Sequence, residues 1–113
     1  MLLARRPELK SGATHVDYLG NKVVLVIGAG DETHRGVCVA LAQAGALIAV
    51  AGAAPELSAE AALHSIANEV WAIGKQACVV TLTPDDASSV EDGLSRALAE
   101  MRGNGSIVVR VEA

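Results

Sequence analysis

Aromatic side chains and clustered positive charge are both scarce in this chain. Its 113 residues include one Trp, one Tyr and no Phe, and 9 basic residues against 13 acidic ones give a net charge of −4. Nucleic-acid binding depends on basic groups that neutralise phosphates and, for single strands, on aromatic rings that stack on bases. Because neither is supplied in quantity, we expect no nucleic-acid partner.

Metal-ligand and thiol motifs are also lacking. The cysteines, Cys38 and Cys78, are far apart in the sequence, and the three histidines are scattered at His15, His34 and His64. No spacing fits a zinc template, so we expect no metal site. We interpret both thiols as small core hydrophobes in a reducing cytoplasm.

Long apolar runs are absent as well. No stretch has the length that crosses a membrane, and the short apolar start at residues 1–4, ahead of Arg5 and Arg6, is too brief for a signal sequence. We therefore expect a cytoplasmic protein with no membrane partner.

Short aliphatic runs and amphipathic segments alternate after residue 20, and 51% of the chain is hydrophobic. The runs suit strands buried on both faces, and the segments between them have helical periodicity. Strands are predicted at 22–27, 46–51, 77–82 and 106–111, and helices at 33–44, 56–73 and 87–101. We interpret residues 1–20 as an N-terminal arm and 21–113 as one α/β domain with an open parallel sheet.

Each predicted helix has an apolar stripe that we expect to face the sheet. The stripes are Val37, Leu41 and Ala44; Leu63, Ile66, Val70 and Ile73; and Val90, Leu94, Ala97 and Met101. Asp85 and Asp86 precede the third helix. We expect their carboxylates to cap the N-terminus of that helix and not to bind a divalent cation. Trp71 either packs at the edge of the core or protrudes as an interface anchor.

The turn between the first strand and the first helix is glycine-rich and reads Gly-Ala-Gly-Asp-Glu-Thr-His-Arg-Gly over residues 28–36. Such turns hold nucleotides, because glycines let the backbone approach a pyrophosphate and the helix start presents N–H groups. The candidate cofactor-binding residues are Gly28, Ala29, Gly30, Thr33, His34 and Arg35.

Residues 22–30, and the ungapped spacing from Gly28 to the Ala-Gly-Ala at 44–46, resemble the short-chain dehydrogenase/reductase family. The resemblance continues through 48–52, 79–85 and 105–111, and so covers nearly the whole chain but only the opening part of a longer family fold. It implies half of a Rossmann-like fold, β-α-β-α-β-α-β with strand order 3-2-1-4, truncated and degenerate.

The family's turn has the form TGxxxGxG, and of its three glycines only the first is present here, as Gly28. Ile27 replaces the Thr, Glu32 the second glycine and His34 the third. Glu32 would bring a negative charge near the pyrophosphate path, where two unit charges about 4 Å apart interact by roughly 4 kcal/mol at an effective dielectric near 20. The resemblance therefore implies at most weak NAD or NADP binding.

Other family contacts are also replaced. Gly52 and Ala53 stand where the family has its ribose or phosphate anchor, Thr83 stands where it has the Asp that faces the adenine, and residues 111–113 replace Asn-Asn-Ala-Gly. The family's catalytic Ser and Tyr-xxx-Lys pair would follow the fourth strand. Tyr18 and Lys22 have the same spacing, but they precede the first strand and do not correspond to that pair. We expect a pseudoenzyme with no catalytic residues.

The implied strand order leaves the last strand, from Ser106 to Val111, at a sheet edge with only Arg110 as a charge. Such an apolar edge tends to pair with another strand. The leading hypothesis is a non-catalytic interaction module that forms a homo-oligomer or docks on a protein partner there. One alternative is an NAD(P)- or nucleotide-binding half-domain that works with another chain. A second is a folded domain without a selected function, cut from a degenerate pseudogene or a longer reading frame.

Overall fold

The computed structural model describes residues 19–53 and 57–111, so most of the predicted arm lies outside the described residues. Strands and helices alternate through seven elements, and each predicted boundary lies within one residue of the observed one. The elements are β1 (Val23–Ile27), α1 (Glu32–Gln43), β2 (Leu47–Gly52), α2 (Leu57–Ala72), β3 (Ala77–Thr81), α3 (Ala87–Met101) and β4 (Ser106–Arg110).

The strands form one parallel sheet in the order β3-β2-β1-β4, which confirms the predicted 3-2-1-4 arrangement. Val26 of β1 lies opposite Val50 of β2 and Val109 of β4. All of β1 is buried, as expected for a central strand of aliphatic residues with helices on both faces. The α/β half-Rossmann fold is therefore present.

Alternate side chains of β1 enter two separate cores. Val24 and Val26 pack with residues of α1 and α2, while Val23 and Leu25 pack on the opposite face with residues of α3. This alternation follows from the two-residue period of a strand. The helices thus form two layers, and the carboxyl ends of the strands lie together at one end of the sheet.

The buried stripe of α1 differs from the prediction. Its buried residues are His34, Cys38 and Ala42, whereas Val37 and Leu41 are half-buried. The reason is that the His34 side chain is inserted beneath the turn, which rotates the inward face of the helix by one position. Both cysteines are buried, and burial raises the pKa of Cys38 to about 12 and that of Cys78 to about 11.

The stripes of α2 and α3 match the prediction except at Leu94, which is half-buried, and at Ile73. The buried predicted residues are Leu63, Ile66, Val70, Val90, Ala97 and Met101. Ile73 is 40% exposed because α2 ends at Ala72. Asp86 is the N-cap of α3, with its carboxylate accepting from the backbone N–H groups of Ser88 and Ser89 at 2.9 and 3.4 Å, as the capping interpretation required.

No helix in the described ranges is long and apolar enough to cross a membrane. Within the same ranges, no three His, Cys, Asp or Glu side chains come together as ligands for a metal ion.

Candidate functional site

The glycine-rich turn lies at the carboxyl end of β1, next to the place where the chain order reverses between β1 and β4. In open α/β sheets this is the crevice where ligands bind. The N–H of Gly28 donates to the Ala51 carbonyl at 3.0 Å, which ties the turn to β2. Gly30 has φ of +78°, a conformation that favours glycine.

The imidazole of His34 is buried inside this turn, with no exposed surface. Its Nδ1 accepts a hydrogen bond from the Gly30 N–H at 3.0 Å, and its Nε2 lies 2.9 Å from the Val26 carbonyl oxygen. Since Nδ1 accepts, the proton of the neutral ring is on Nε2, which donates to Val26. Both ring nitrogens are therefore engaged by the protein, and His34 offers none to a ligand.

Asp31 completes the start of α1 and was not singled out in the sequence. Its carboxylate accepts from the His34 N–H at 3.0 Å, as an N-cap does, and its carbonyl accepts from the Arg35 N–H at 3.0 Å. A helix start is favourable for an anion, and here the chain supplies its own. The sequence signal was present, because Asp directly before a helical period is a preferred cap.

Glu32 and Arg35 form an ion pair on the outer surface of α1. The Arg35 guanidinium donates to both carboxylate oxygens of Glu32 at 2.8 Å and also to Glu69 of α2 at 2.8 Å. Hydrogen bonding and charge from Arg35 lower the pKa of Glu32, and the two carboxylates raise the pKa of Arg35. Arg35 therefore links α1 to α2 and pairs with the Glu32 charge, which the sequence placed near the pyrophosphate path.

A cleft of about 450 Å³ opens at the carboxyl ends of the strands. Gly28 and Ala29 line it together with Ala53, Pro84 and Arg110. The Arg110 Nη2 donates to the Pro84 carbonyl at 2.8 Å.

Of the six predicted cofactor-binding residues, the structure brings only Gly28 and Ala29 to the cleft. Gly30 and His34 bond to each other, Thr33 is exposed and Arg35 faces α2.

Arg110 is the one ionisable side chain among the described residues that line this cleft. A guanidinium is a fixed cation that neither accepts nor releases a proton near neutral pH. The described cleft therefore offers a positive charge and backbone groups but no acid or base for proton transfer.

The outer edge of the sheet at β4 is the second candidate site. The Val23 N–H donates to the Gly105 carbonyl and the Val111 N–H to the Ile27 carbonyl, both at 2.8 Å, so the odd-numbered residues direct their backbone groups towards β1. The N–H and C=O groups of Ser106, Val108 and Arg110 consequently face away from the sheet. We call these outward groups the β4 edge; no described residue bonds to them.

The opposite edge of the sheet, at β3, is partly covered by side chains. There the outward groups belong to Ala77, Val79 and Thr81, which we call the β3 edge, because the Gln76 carbonyl and the Leu82 N–H face β2. The Trp71 indole N–H donates to the Ala77 carbonyl at 3.0 Å, and Arg96 donates to the Thr81 carbonyl at 3.4 Å. Trp71 thus protrudes, 59% exposed, while its N–H caps the β3 edge.

A scan against protein-family models and a search of curated proteins find no match to this chain. Similar solved structures do exist. A hydroxysteroid dehydrogenase from Escherichia coli aligns with a TM-score of 0.68 and 19% identity, covering 83% of this chain and 37% of its own. A short-chain type dehydrogenase/reductase from Mycobacterium marinum aligns with a TM-score of 0.67 and 27% identity, covering 82% of this chain and 35% of its own.

A dehydrogenase/reductase from Sinorhizobium meliloti 1021 gives a TM-score of 0.67 at 19% identity, over 84% of this chain and 36% of its own. This chain thus spans little more than a third of the length of these structures. Strand order, helix layers and alignment agree, and the protein therefore has a short-chain dehydrogenase/reductase-like fold that corresponds to about a third of such an enzyme.

Proposed function

We propose that this chain is a non-catalytic, Rossmann-like interaction module that adds a partner β-strand at the β4 edge. The observation that carries the proposal is the contrast between the two edges of one sheet. Two of the outward carbonyls of the β3 edge are occupied by side chains, whereas the described residues leave the outward groups of the β4 edge to solvent. Natural sheets protect the edges that must not pair.

The side chains of β4 favour the same surface. Ile107 and Val108 are 39% and 41% exposed, on opposite faces of the strand. An apolar groove of about 470 Å³ lies between β4 and α3, with Val90, Leu94 and Val108 among its lining residues. A strand that bonds to the β4 edge would cover apolar surface on both faces, which adds a hydrophobic term to the backbone hydrogen bonds.

The β1–α1 turn supports the non-catalytic half of the proposal. A dinucleotide needs bare backbone and helix N–H groups at this position. Here the Gly30 and His34 N–H groups are engaged by the His34 ring and the Asp31 carboxylate. A pyrophosphate would have to displace these contacts and would meet the negative charge of Asp31.

The test is binding of a generic strand to the whole chain. The probe is a peptide of alternating Thr and Val flanked by lysines, and the readout is amide hydrogen exchange by NMR. We expect the N–H groups of Ser106, Val108 and Arg110 to exchange at least about tenfold more slowly when the peptide is bound. The N–H groups of Ile107 and Val109, already bonded to β1, serve as internal controls.

The same peptide with every amide N-methylated is the matched control, since it has no backbone N–H to donate from either edge. Unchanged exchange at Ser106, Val108 and Arg110 with saturating peptide would refute strand addition at this edge. Calorimetric titration with NADH and NADPH tests the rest of the proposal. We expect no saturable heat up to about 1 mM, the upper end of ordinary Michaelis constants, and tight binding of either coenzyme would contradict a non-catalytic role.

A second candidate function, a nucleotide-binding half-domain that works with another chain, is favoured by the cleft beside Arg110. The guanidinium and the backbone of Gly28 and Ala29 lie on the same cleft. Under this alternative, ADP would bind and Arg110→Gln would weaken the binding, as calorimetry would show. Under the leading proposal, both proteins give the same flat titration.

A further inference from the structure

We infer that His34 is an acid-sensitive lock on the β1–α1 turn: the neutral ring holds the turn closed, and protonation of the ring opens the turn at Gly30. The lock lies at the carboxyl end of β1, inside the fold, where the ring bonds to Val26 and Gly30. It goes beyond the proposed strand addition, because it gives the domain a response to pH that does not involve the β4 edge.

The closed turn fits one protonation state of the ring. Nδ1 lies 3.0 Å from the Gly30 nitrogen and accepts its N–H. A charged imidazolium carries a hydrogen on both ring nitrogens and accepts nothing. Two N–H groups would then point at each other across the same distance. Protonation therefore breaks the Gly30 bond, whereas the Nε2 bond to the Val26 carbonyl is compatible with either state.

The site of the ring does not compensate a charge. The His34 side chain has no exposed surface, and a buried cation needs an acceptor for each of its N–H groups. It lies in the first turn of α1, where the helix dipole is positive and disfavours a cation. The Asp31 carboxylate accepts from the His34 backbone N–H and makes no bond to the ring. A charged ring has to leave this site to find water or a carboxylate.

Other ionisable groups near α1 do not replace His34 in this role. The strands packed beneath α1, β1 and β2, carry no ionisable side chain. Among the described residues, no ionisable side chain bonds to the His34 ring. The groups on the surrounding elements are Asp31, Glu32, Arg35 and Cys38 at α1, Glu60, His64 and Glu69 on α2, and Arg110 on β4.

Those groups are paired with each other or keep one charge state as the pH falls from neutral. Arg35 bonds to Glu32 and Glu69, and burial raises the pKa of Cys38 to about 12, so that thiol stays protonated. His64 is exposed on α2 and lies 3.9 Å from Glu60. His64 is therefore the other described group that titrates in the same range, and it serves as a control.

Opening is local, because the segments on both sides of the turn are held by bonds that do not involve the ring. The Gly28 N–H donates to the Ala51 carbonyl and the Arg35 N–H to the Asp31 carbonyl, both at 3.0 Å. Gly30 itself lies against α2, where a β-carbon added to it would come 3.0 Å from the Ala62 Cβ. Loss of the bond to the ring releases Gly30 from this position and frees its N–H.

Amide hydrogen exchange of the whole chain, followed by NMR at about pH 7.5 and about pH 5.0, tests the lock. An exposed imidazole is half protonated near pH ~6.5, so at pH ~5.0 the charged ring outnumbers the neutral one in the open turn by about 30 to 1. The open population rises by the same factor. We expect the protection factor of the Gly30 N–H, corrected for intrinsic exchange, to fall about 30-fold, while that of the Gly28 N–H changes by less than about twofold.

His34→Asn replaces the ring with a neutral amide that does not titrate, so Gly30 protection should no longer depend on pH. His64→Asn is the matched control, because it removes an exposed histidine and should leave the 30-fold change intact. Circular dichroism verifies that each variant is folded. The unaltered protein provides a second measurement. Nitrogen NMR of the His34 ring should show the Nε2–H tautomer near neutral pH and should change over the same pH interval as Gly30 protection.

A fall in protection confined to Gly30, lost in His34→Asn and kept in His64→Asn, supports the lock. Constant Gly30 protection at the two pH values would overturn it, and so would a change that persists in His34→Asn or an Nδ1–H tautomer near neutral pH. Equal losses at Gly28 and Gly30 would show that acid unfolds the domain as a whole, which also contradicts a local lock. None of these results bears on peptide binding at the β4 edge, so the two proposals fail separately.

Discussion

The imidazole of His34 lies so close to Gly28 that a β-carbon added to the glycine would come 2.5 Å from the His34 Cγ. Real Cβ atoms do not approach other atoms this closely, so the two residues constrain each other. Gly28 is the only glycine of the family's turn that this chain keeps, and His34 stands where the family has the third glycine. The packing of His34 against Gly28 is enough to explain why position 28 is a glycine, without a bound coenzyme.

Gly28→Ala should destabilise the fold by about 1–3 kcal/mol, because the methyl group forces the buried ring to move. His34→Gly should also be costly, since the Gly30 N–H and the Val26 carbonyl lose their partner. In the His34→Gly background, however, Gly28→Ala should cost clearly less. Urea unfolding of the single and double variants measures the coupling, and additive free energies would show that the contact is not the constraint.

Trp71→Phe should expose the β3 edge while keeping an aromatic ring on the surface. The Ala77 carbonyl loses its indole donor, a bond worth about 0.5–1.5 kcal/mol. We expect a loss of unfolding free energy in that range and new association at high protein concentration, measured by light scattering. Ile73→Phe is the control for added aromatic surface. Equal association of the two variants would mean that the indole N–H does not protect the edge.

Asp86→Ala should cost about 1 kcal/mol of unfolding free energy, because the N-cap of α3 is lost. Asp85→Ala changes the same charge one residue earlier at an exposed position, and no bond from the Asp85 side chain to α3 is seen among the described residues. Asp85→Ala should therefore lower the free energy of unfolding by only a few tenths of the loss expected for Asp86→Ala. Thermal and urea denaturation of the pair separate capping from charge, and equal losses would favour a charge effect.

Stability should fall at alkaline pH through the two buried thiols. Desolvation raises the pKa of Cys38 from the usual 9.0 to about 12, and desolvation together with the charge of Glu100 raises that of Cys78 to about 11. Above pH 9.0 the unfolded thiols ionise while the folded ones do not, so the unfolded state is favoured. Ionisation of each thiol in the unfolded state should lower the free energy of unfolding by roughly 1.4 kcal/mol per pH unit up to pH ~11.

Urea unfolding between these pH values measures that slope. Cys38→Ala and Cys78→Ala should each reduce the slope even if they lower stability at neutral pH. An unchanged slope in both variants would assign the alkaline loss to other groups.

The fold could be predicted from the sequence because β-branched runs and helical stripes repeat with ordinary spacing. The cap at Asp86 follows from a pattern of neighbouring residues alone, whereas the edge position of the last strand follows from the strand order that the family resemblance implies. The site was less accessible. His34 is a candidate cofactor-binding residue in the sequence, because a sequence does not show that Val26 and Gly30 engage both of its ring nitrogens. Trp71 was left undecided because its partner, the Ala77 carbonyl, belongs to a strand whose outward side follows only from the register.

The contacts of Trp71 and Arg96 with the Ala77 and Thr81 carbonyls make the two ends of this sheet unequal. An extended chain that approaches β3 would find two of the three outward carbonyls occupied, whereas along β4 the described residues occupy none. A further strand should therefore be added from one side in preference to the other, which gives the sheet a direction of growth.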